Sequence, residues 1–224
     1  MMMMRGPEDI TNMKDGWRER SDPVASDMAR VSVCFRYSWA LKRIRLLERA
    51  TGKRVRNVLD VGCSVGYGCK IMRDGGLDAE GMDVNPGVVR IAKKRYPGVR
   101  FRVGDALGVN EYHDVITAFE VIEHIKDWRR ALNVWKKHCR LLLMSTPNLK
   151  YLKNENPHHF KEFTYEEAKG MSPKVWGMCL SPITTKPITA LFGGEAAARF
   201  RLAAGKPFPR LSRHFLIEVD GERE

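Results

Sequence analysis

The chain has 224 residues, of which 43% are apolar and 29% charged, with a formal net charge of +12. These values are ordinary for a globular protein and predict one domain with a single core. The five cysteines are scattered and contain no C-x-x-C pair, which argues against a disulfide framework or a thiolate zinc site and predicts a cytoplasmic location. No apolar run approaches the ~20 residues that cross a bilayer, and no secretory signal is expected.

Residues 1–26 are polar and interrupted by proline and glycine, so we expect a disordered or loosely docked arm there. From residue 27 to residue 50, apolar residues recur at helical spacing among many arginines. This pattern predicts a basic leading helix that begins with Asp27 as N-cap and stops at Gly52. We expect residues 27–224 to form the main domain.

Strand and helix signals then alternate along the chain. We predict strands at 57–61, 79–83, 99–103, 113–119 and 140–145, with helices at 68–75, 86–95 and 127–138. Repeated units of this length favour right-handed crossovers and a mainly parallel sheet with helices on both faces. In such sheets ligands bind beyond the carboxyl ends of the strands, near the switch point beside the first strand. A last strand is predicted at 214–219, whereas 165–213 shows no assignable pattern.

The first strand runs into a glycine-rich turn that is followed by a helix. The turn has the spacing D-x-G-x-S-x-G-x-G, formed by Asp60, Gly62, Ser64, Gly66 and Gly68. A strand, a tight turn and a helix N-terminus together place backbone N–H groups and a positive helix dipole around one concavity. A dinucleotide fingerprint counted from Gly62 would require glycine at 64 and 67, where the chain has Ser64 and Tyr67. This spacing makes a dehydrogenase the least favoured interpretation.

Acidic residues follow the next two strands. Asp83 ends the second strand, directly before Val84, and a carboxylate there can accept hydrogen bonds from both ribose hydroxyls of a nucleoside. Asp105 follows the third strand and precedes Ala106. The alternatives are a capping or surface role for Asp83 and a turn-forming role for Asp105.

Together, these residues resemble the motifs of the class I S-adenosylmethionine-dependent methyltransferases over about residues 58–164, with Ser64 in place of a common glycine. The resemblance implies a Rossmann-like, mainly parallel seven-stranded sheet with an antiparallel last strand. It implies S-adenosylmethionine as the cofactor, with Asp83 at its ribose and Asp105 at its adenine. Asp60 would orient the turn or the positively charged end of the cofactor. The full set of implied cofactor-binding residues is Asp60, Gly62, Ser64, Gly66, Gly68, Asp83, Val84, Asp105, Ala106 and Glu120.

In related methyltransferases a leading helix lies over the cofactor cleft. Residues 27–50 would then shape the substrate entrance, and the alternative is a helix that only covers one face of the sheet. Tyr37 and Trp39 are candidates for that entrance or for the core.

An E-x-x-E-H group follows the fourth strand. Glu120, Glu123 and His124 would share one side if this segment turned helically. With Ser-Thr-Pro-Asn at 145–148 and His159 before Glu-Phe-Thr, the group resembles the small-RNA 3′-end 2′-O-methyltransferases, and by itself it also resembles the quinone O-methyltransferases. The first resemblance implies a divalent Mg, Mn, Fe or Zn ion, and these donors suit such ions. Its ligands would be Glu120, Glu123, His124 and His159.

Three roles remain open for this group. A cation bound to two adjacent hydroxyls would lower the pKa of the attacking one. Without a metal, His124 or His159 would act as general base. In the third interpretation, Glu123 and His124 only brace the next helix.

The expected acceptor is a hydroxyl on a small molecule, a lipid or a saccharide. Residues 156–164 resemble the corresponding segment of saccharide and small-molecule methyltransferases, and 149–151 depart from the small-RNA enzymes. An RNA ribose hydroxyl is the alternative, because residues 30–56 carry nine basic residues against one acid and residues 199–213 carry five against none. A solvated surface is the other explanation of that charge. A nucleoside-binding module without turnover is a further alternative.

Overall fold

The computed structural model describes residues 27–152, 156–179, 201–204, 212 and 214–222. The arm predicted at 1–26 and most of the basic stretch at 199–213 lie outside the described residues. The elements are α1 (Asp27–Thr51), β1 (Asn57–Val61), α2 (Tyr67–Asp74), β2 (Asp78–Asp83), α3 (Pro86–Arg95), β3 (Arg100–Val103), β4 (His113–Phe119), α4 (Trp128–Lys137), β5 (Cys139–Pro147), α5 (Leu149–Leu152), α6 (Tyr165–Met171), β6 (Lys174–Cys179), β7 (Arg201–Ala204) and β8 (His214–Asp220).

Local sequence signals begin these helices. The side chain of Asn85 accepts a hydrogen bond from the N–H of Gly87 at 2.8 Å and so caps α3. Thr164 and Glu167 form a capping box at the start of α6, a helix that the sequence analysis left unassigned. None of the helices in the described part of the chain has the length and apolar content needed to cross a membrane.

The described strands form one sheet in the order β3-β2-β1-β4-β5-β8-β6-β7. Strands β1 to β5 run parallel, and β8 lies antiparallel between β5 and β6. The predicted fold class and the antiparallel last strand are therefore confirmed. The short strand β7 pairs with β6 and extends the edge of the sheet beyond the seven expected strands. Because β2 and β4 flank β1, the switch point lies at the glycine-rich turn.

Alternate residues of the central strands point into two apolar clusters, one on each face of the sheet. Val58 and Leu141 lie in the cluster that α1 and α2 cover, whereas Leu59 and Leu142 lie in the cluster that α4 covers. Trp39 is buried in the first cluster, so of its two expected places it takes the core. Because both faces are covered, a ligand enters at an edge of the sheet, and the switch point favours the carboxyl edge.

Candidate functional site

One cavity of about 1400 Å³ opens at the carboxyl ends of the parallel strands. A typical pocket for a single small molecule measures about 300–1,000 Å³, so this one has room for two ligands. The predicted site residues in its lining are Gly62, Ser64, Gly68, Asp83, Val84, Asp105, Ala106, Glu120, Glu123, His124 and His159. Asp60 and Gly66 are the two predicted residues that are not part of the lining.

The glycine-rich turn folds tightly over the end of β1. Gly62 has a φ of 69°, and a Cβ there would overlap the side chain of Val121. Ser64 has a φ of 50°, and its N–H donates to an Asp83 carboxylate oxygen at 2.9 Å. The other oxygen of Asp83 accepts from the N–H of Asn85 at 2.9 Å, and burial raises the pKa of this carboxyl. Asp83 therefore holds the turn together while its side chain lines the cavity.

Asp60 lies behind the turn and is fully buried. Its carboxylate accepts hydrogen bonds from Tyr37 Oη at 2.9 and 3.1 Å and from Thr117 Oγ1 at 2.6 Å. Burial raises the pKa of Asp60 to about 6 in spite of these bonds. A Cβ at Gly68 would overlap the Tyr37 ring, so the close approach of α1 requires glycine there. Asp60 thus ties β1 to α1 and β4 and does not line the cavity.

Asp105 is exposed at the rim of the cavity. Its Oδ1 accepts from the N–H of Leu107 at 2.8 Å and begins the short 3-10 turn Ala106–Gly108. This bond is the turn-forming role that the sequence left as an alternative. The carboxylate also lines the cavity, so the same side chain is placed for both roles.

Glu120 follows β4 with a φ of 57°, a left-handed conformation that costs a non-glycine residue energy. Its carboxylate accepts from Ser145 Oγ at 2.6 Å and lies 3.2 Å from both Arg36 Nη2 and His214 Nε2. Burial alone would raise the pKa of Glu120, but the charges of Arg36 and His214 hold it well below its ordinary value. Sequence reasoning missed Arg36 and His214, because nothing local in α1 or β8 shows that either side chain reaches this carboxylate.

Glu123, His124 and His159 lie together in another part of the cavity wall. One ligand atom of each lies within 4.8 Å of the other two, and the imidazole rings meet edge to face with centroids 4.7 Å apart. Glu120 is outside this group. The predicted grouping of Glu120 required a helical segment, whereas the chain is left-handed at Glu120 and only residues Ile122–His124 form a 3-10 turn.

Glu123 is 1% exposed, and only one of its two carboxyl oxygens is hydrogen-bonded within the described residues. Its Oε2 accepts from Thr146 Oγ1 at 3.2 Å, while Oε1 has no hydrogen-bond partner among the described residues. Burial, with the nearby charge of Glu120, raises the pKa of Glu123 well above its ordinary value. A carboxylate and two imidazoles suit a divalent ion such as Zn, Mn or Fe, so the donor set fits a metal as well as a metal-free acid–base group.

The two imidazoles differ in their hydrogen bonds. His124 Nδ1 lies 3.1 Å from the carbonyl oxygen of His158, to which it donates. Burial lowers the pKa of His124, so the ring is neutral near pH 7 and its Nε2 is then the proton acceptor. Both nitrogens of His159 are engaged, Nδ1 by Glu162 at 3.0 Å and Nε2 by Asn156 at 2.9 Å. Asn156 and Glu162 thus hold the His159 ring at both of its nitrogens.

Comparison with known proteins identifies relatives of this chain. A family model described as "Methyltransferase domain" matches residues 35–186. A probable S-adenosylmethionine-dependent methyltransferase of Mycolicibacterium smegmatis is 33% identical over 110 residues, which are 46% of this chain and 42% of that protein. A probable S-adenosylmethionine-dependent methyltransferase of Mycobacterium tuberculosis is 27% identical over 185 residues, which are 74% of this chain and 66% of that protein. The chain thus spans less than two thirds of the length of either relative.

Solved structures share the fold at low sequence identity. Magnesium protoporphyrin IX methyltransferase from Synechocystis PCC 6803, with bound SAH, superimposes with a TM-score of 0.61 at 14% identity and covers 96% of this chain and 97% of that chain. The methyltransferase domain of bacterial CtHen1 superimposes with a TM-score of 0.52 at 16% identity, and the match covers 81% of this chain and 97% of that chain. These likenesses concern the fold and leave the acceptor open.

Proposed function

Because the chain belongs to the methyltransferase domain family, we propose that it transfers a methyl group from S-adenosylmethionine to a hydroxyl oxygen of a small-molecule, lipid or saccharide acceptor. One observation carries this proposal: His124, beside the buried Glu123, lines the same cavity as the glycine-rich turn. The cavity therefore combines a cofactor half with a proton acceptor.

In this proposal, residues at the carboxyl ends of β1, β2 and β3 would hold the adenosine part of the cofactor. Asp83 is already anchored by two backbone N–H groups, which fixes its oxygens for the ribose hydroxyls. Asp105 and Ala106 line the adenine side. Residues 62–65, 67 and 68 of the glycine-rich turn line the adjoining wall.

Arg36 and Glu120 complement the amino-acid end of the cofactor. S-adenosylmethionine ends in an α-ammonium and an α-carboxylate, and this ion pair presents the opposite charges in the cavity wall. Arg36 is only 6% exposed, and its Nε has no hydrogen-bond partner in the described part of the chain. Arg36 would bind the carboxylate and Glu120 the ammonium, as charge-assisted hydrogen bonds.

In the transfer step, the sulfonium–methyl bond breaks as the new oxygen–methyl bond forms, and the acceptor hydroxyl loses its proton. The cavity holds the two reactants in line, which removes much of the entropic part of the barrier. His124 accepts the proton at Nε2 while Nδ1 stays bonded to the His158 carbonyl oxygen. Glu123, one of whose oxygens lies within 4.8 Å of both imidazoles, packs beside this base.

The position of the basic residues at 42–56 supports a small acceptor over RNA. The α1 residues in the cavity lining are Ser32, Val33, Arg36 and Tyr37. The basic residues at 42–56 come later in α1 and before β1, at the end of that strand opposite the turn. From Arg36 to Arg49 the helix rises about 20 Å, so much of this charge lies far from the cavity.

A second candidate is metal-dependent methylation of one of two adjacent hydroxyls, as in an RNA ribose. The unpaired Oε1 of Glu123, beside two imidazoles, favours it. Glu123, His124 and His159 would hold the ion, which would lower the pKa of a coordinated hydroxyl. Because Asn156 and Glu162 engage both nitrogens of His159, one of these bonds would have to break on metal binding.

The experiment has two steps. Calorimetry measures binding of S-adenosylhomocysteine before and after chelation, and methyl transfer from labelled S-adenosylmethionine is then assayed on hydroxylated small molecules, saccharides, lipids and RNA. We expect EDTA-insensitive binding, and transfer to a non-RNA acceptor that His124→Gln abolishes. Transfer to RNA alone, abolished by EDTA, would replace this proposal with the second candidate. A folded protein that binds no S-adenosylhomocysteine would contradict both.

A further inference from the structure

A second group of metal-binding side chains lies away from the cavity. Glu80 on β2, Glu111 before β4 and His113 at the start of β4 each offer one ligand atom, all within 4.8 Å of one another. None of the three lines the candidate active site. His113 and Phe119 are the two ends of β4, and a strand of this length separates them by about 20 Å. The group therefore lies near the opposite edge of the sheet.

His113 distinguishes this group from an ordinary acidic surface. The residue is 5% exposed, and within the described residues neither of its ring nitrogens has a hydrogen-bond partner. Buried polar side chains are normally hydrogen-bonded, and one that is not costs about 1–3 kcal/mol. Glu80 Oε1 is also buried, and in the same part of the structure it has no hydrogen-bond partner. A ligand that accepts electron pairs from both side chains would satisfy them.

We propose that Glu80, Glu111 and His113 bind a divalent transition-metal ion, with Zn²⁺ as the best match. Two carboxylates and one imidazole form a mixed oxygen and nitrogen donor set, which Zn²⁺ accepts readily. Mg²⁺ and Ca²⁺ prefer oxygen donors throughout. Because Glu111 is exposed, water completes the coordination sphere.

Two arginines compete with the metal for Glu80. Arg100 Nε lies 3.4 Å from Oε2, and Arg102 Nε lies 3.8 Å from Oε1. The second distance is too long for a hydrogen bond. Nε and Nη2 of Arg102 are buried and have no hydrogen-bond partner among the described residues, so this side chain has to shift when a cation takes Oε1. This competition weakens metal binding at Glu80.

The metal would fasten the segment between β3 and β4 to β2. That segment begins with Asp105 and Ala106 at the cavity rim and ends with Glu111 and His113 at the metal. A cofactor held at Asp105 and Ala106 and a metal held at Glu111 and His113 would fix the segment at both ends and reduce its motion. The ion is therefore structural, and it is distinct from any ion at Glu123.

The test is a zinc titration of chelator-stripped protein carrying Glu123→Gln and His159→Ala, which removes the cavity group. We expect one equivalent of Zn²⁺ to bind, together with a raised melting temperature and a Co²⁺ absorption spectrum that shows nitrogen and oxygen ligands. His113→Phe, which keeps the buried volume, and Glu111→Gln, which changes an exposed side chain, should each weaken binding at least tenfold. His138→Gln is the matched control, since His138 Nδ1 bonds to the Val134 carbonyl oxygen instead.

Two outcomes would overturn the proposal. One is a folded parent protein that binds no Zn²⁺. The other is a zinc isotherm that Glu111→Gln and His113→Phe both leave unchanged. Neither outcome touches the methyl-transfer proposal, because S-adenosylhomocysteine binding is measured separately in the same variants.

Discussion

Tyr37 Oη donates to both carboxylate oxygens of Asp60, at 2.9 and 3.1 Å. The tyrosine belongs to α1 and the aspartate to β1, directly before the glycine-rich turn. The Tyr37 ring also packs edge to face on Phe119 at the end of β4, with centroids 5.0 Å apart. The leading helix therefore covers a face of the sheet and also lines the cavity, whereas its role at the substrate entrance stays a prediction.

Asp60→Asn should change how stability depends on pH. Burial raises the pKa of Asp60 from 3.8 to about 6, so the folded protein retains a proton that the unfolded chain has lost. A raised carboxyl pKa makes folding progressively less favourable as the pH rises from about 4 to 6, by up to about 3 kcal/mol. Urea unfolding measures the free energy of unfolding of both proteins at about pH 4.5 and pH 7. Between these two pH values, wild type should lose stability relative to the variant, which has no ionisable group at residue 60. If the difference in free energy between the two proteins were the same at both pH values, the prediction would be contradicted.

Gly62→Ala should cost more stability than Gly52→Ala. The two glycines have nearly the same φ, 69° and 68°, so alanine meets the same backbone strain of roughly 1–2 kcal/mol at both. A Cβ at Gly62 also overlaps Val121, whereas nothing lies within 4 Å of a Cβ at Gly52. Thermal unfolding measures the difference, and equal losses would show that Val121 moves aside freely. Calorimetry should show weaker S-adenosylhomocysteine binding only for Gly62→Ala.

Arg36→Met should weaken S-adenosylhomocysteine binding at least tenfold, or about 1.4 kcal/mol. The variant keeps a long apolar side chain but removes the charge proposed for the α-carboxylate. Methylthioadenosine has no amino-acid part, so its affinity should stay unchanged. Arg43→Met is the matched control, because Arg43 also lies on α1 but pairs with Glu218. Equal losses for both ligands would mean that Arg36 only supports the fold.

Asp83→Asn should also weaken S-adenosylhomocysteine binding at least tenfold, and methylthioadenosine should be affected equally because it retains the ribose. Asp78→Asn on the same strand is the control, since Asp78 is exposed and pairs with Arg73 and Arg100. Unchanged affinity in Asp83→Asn would remove this residue from the site.

His124→Gln should lower kcat by about 10²–10⁴. Burial lowers the pKa of His124, so wild-type activity should fall only below about pH 6.5, and this acid limb should vanish in the variant. His158→Gln is the control, because it retains the backbone carbonyl that His124 bonds. If EDTA rather than His124→Gln abolished the activity, the metal-dependent candidate would gain support.

Local patterns in the sequence were enough to predict the cofactor half of the fold. Strand, turn and helix at 57–74 follow one another directly, so the spacing of the glycines predicted the turn without knowledge of distant contacts. The acids after β2 and β3 fall at the same edge because parallel strands align their carboxyl ends. The segment at 165–179 was not assigned. Its helix begins with the Thr164–Glu167 capping box, a local signal that could have been read from the sequence. Strand β6, in contrast, is stabilised by pairing with β8, a strand far along the chain.

By itself, then, the sequence determined the order of the elements as far as β5, the fold class and the approximate position of the cavity, since these depend on local periodicity and turn chemistry. Only the tertiary structure decided which charges meet. It placed Asp60 behind the turn, brought Arg36 and His214 to Glu120, and left Glu120 outside the group of Glu123, His124 and His159. The physical reason is that ion pairs between α1, β4 and β8 depend on strand order and helix packing, which no local pattern records.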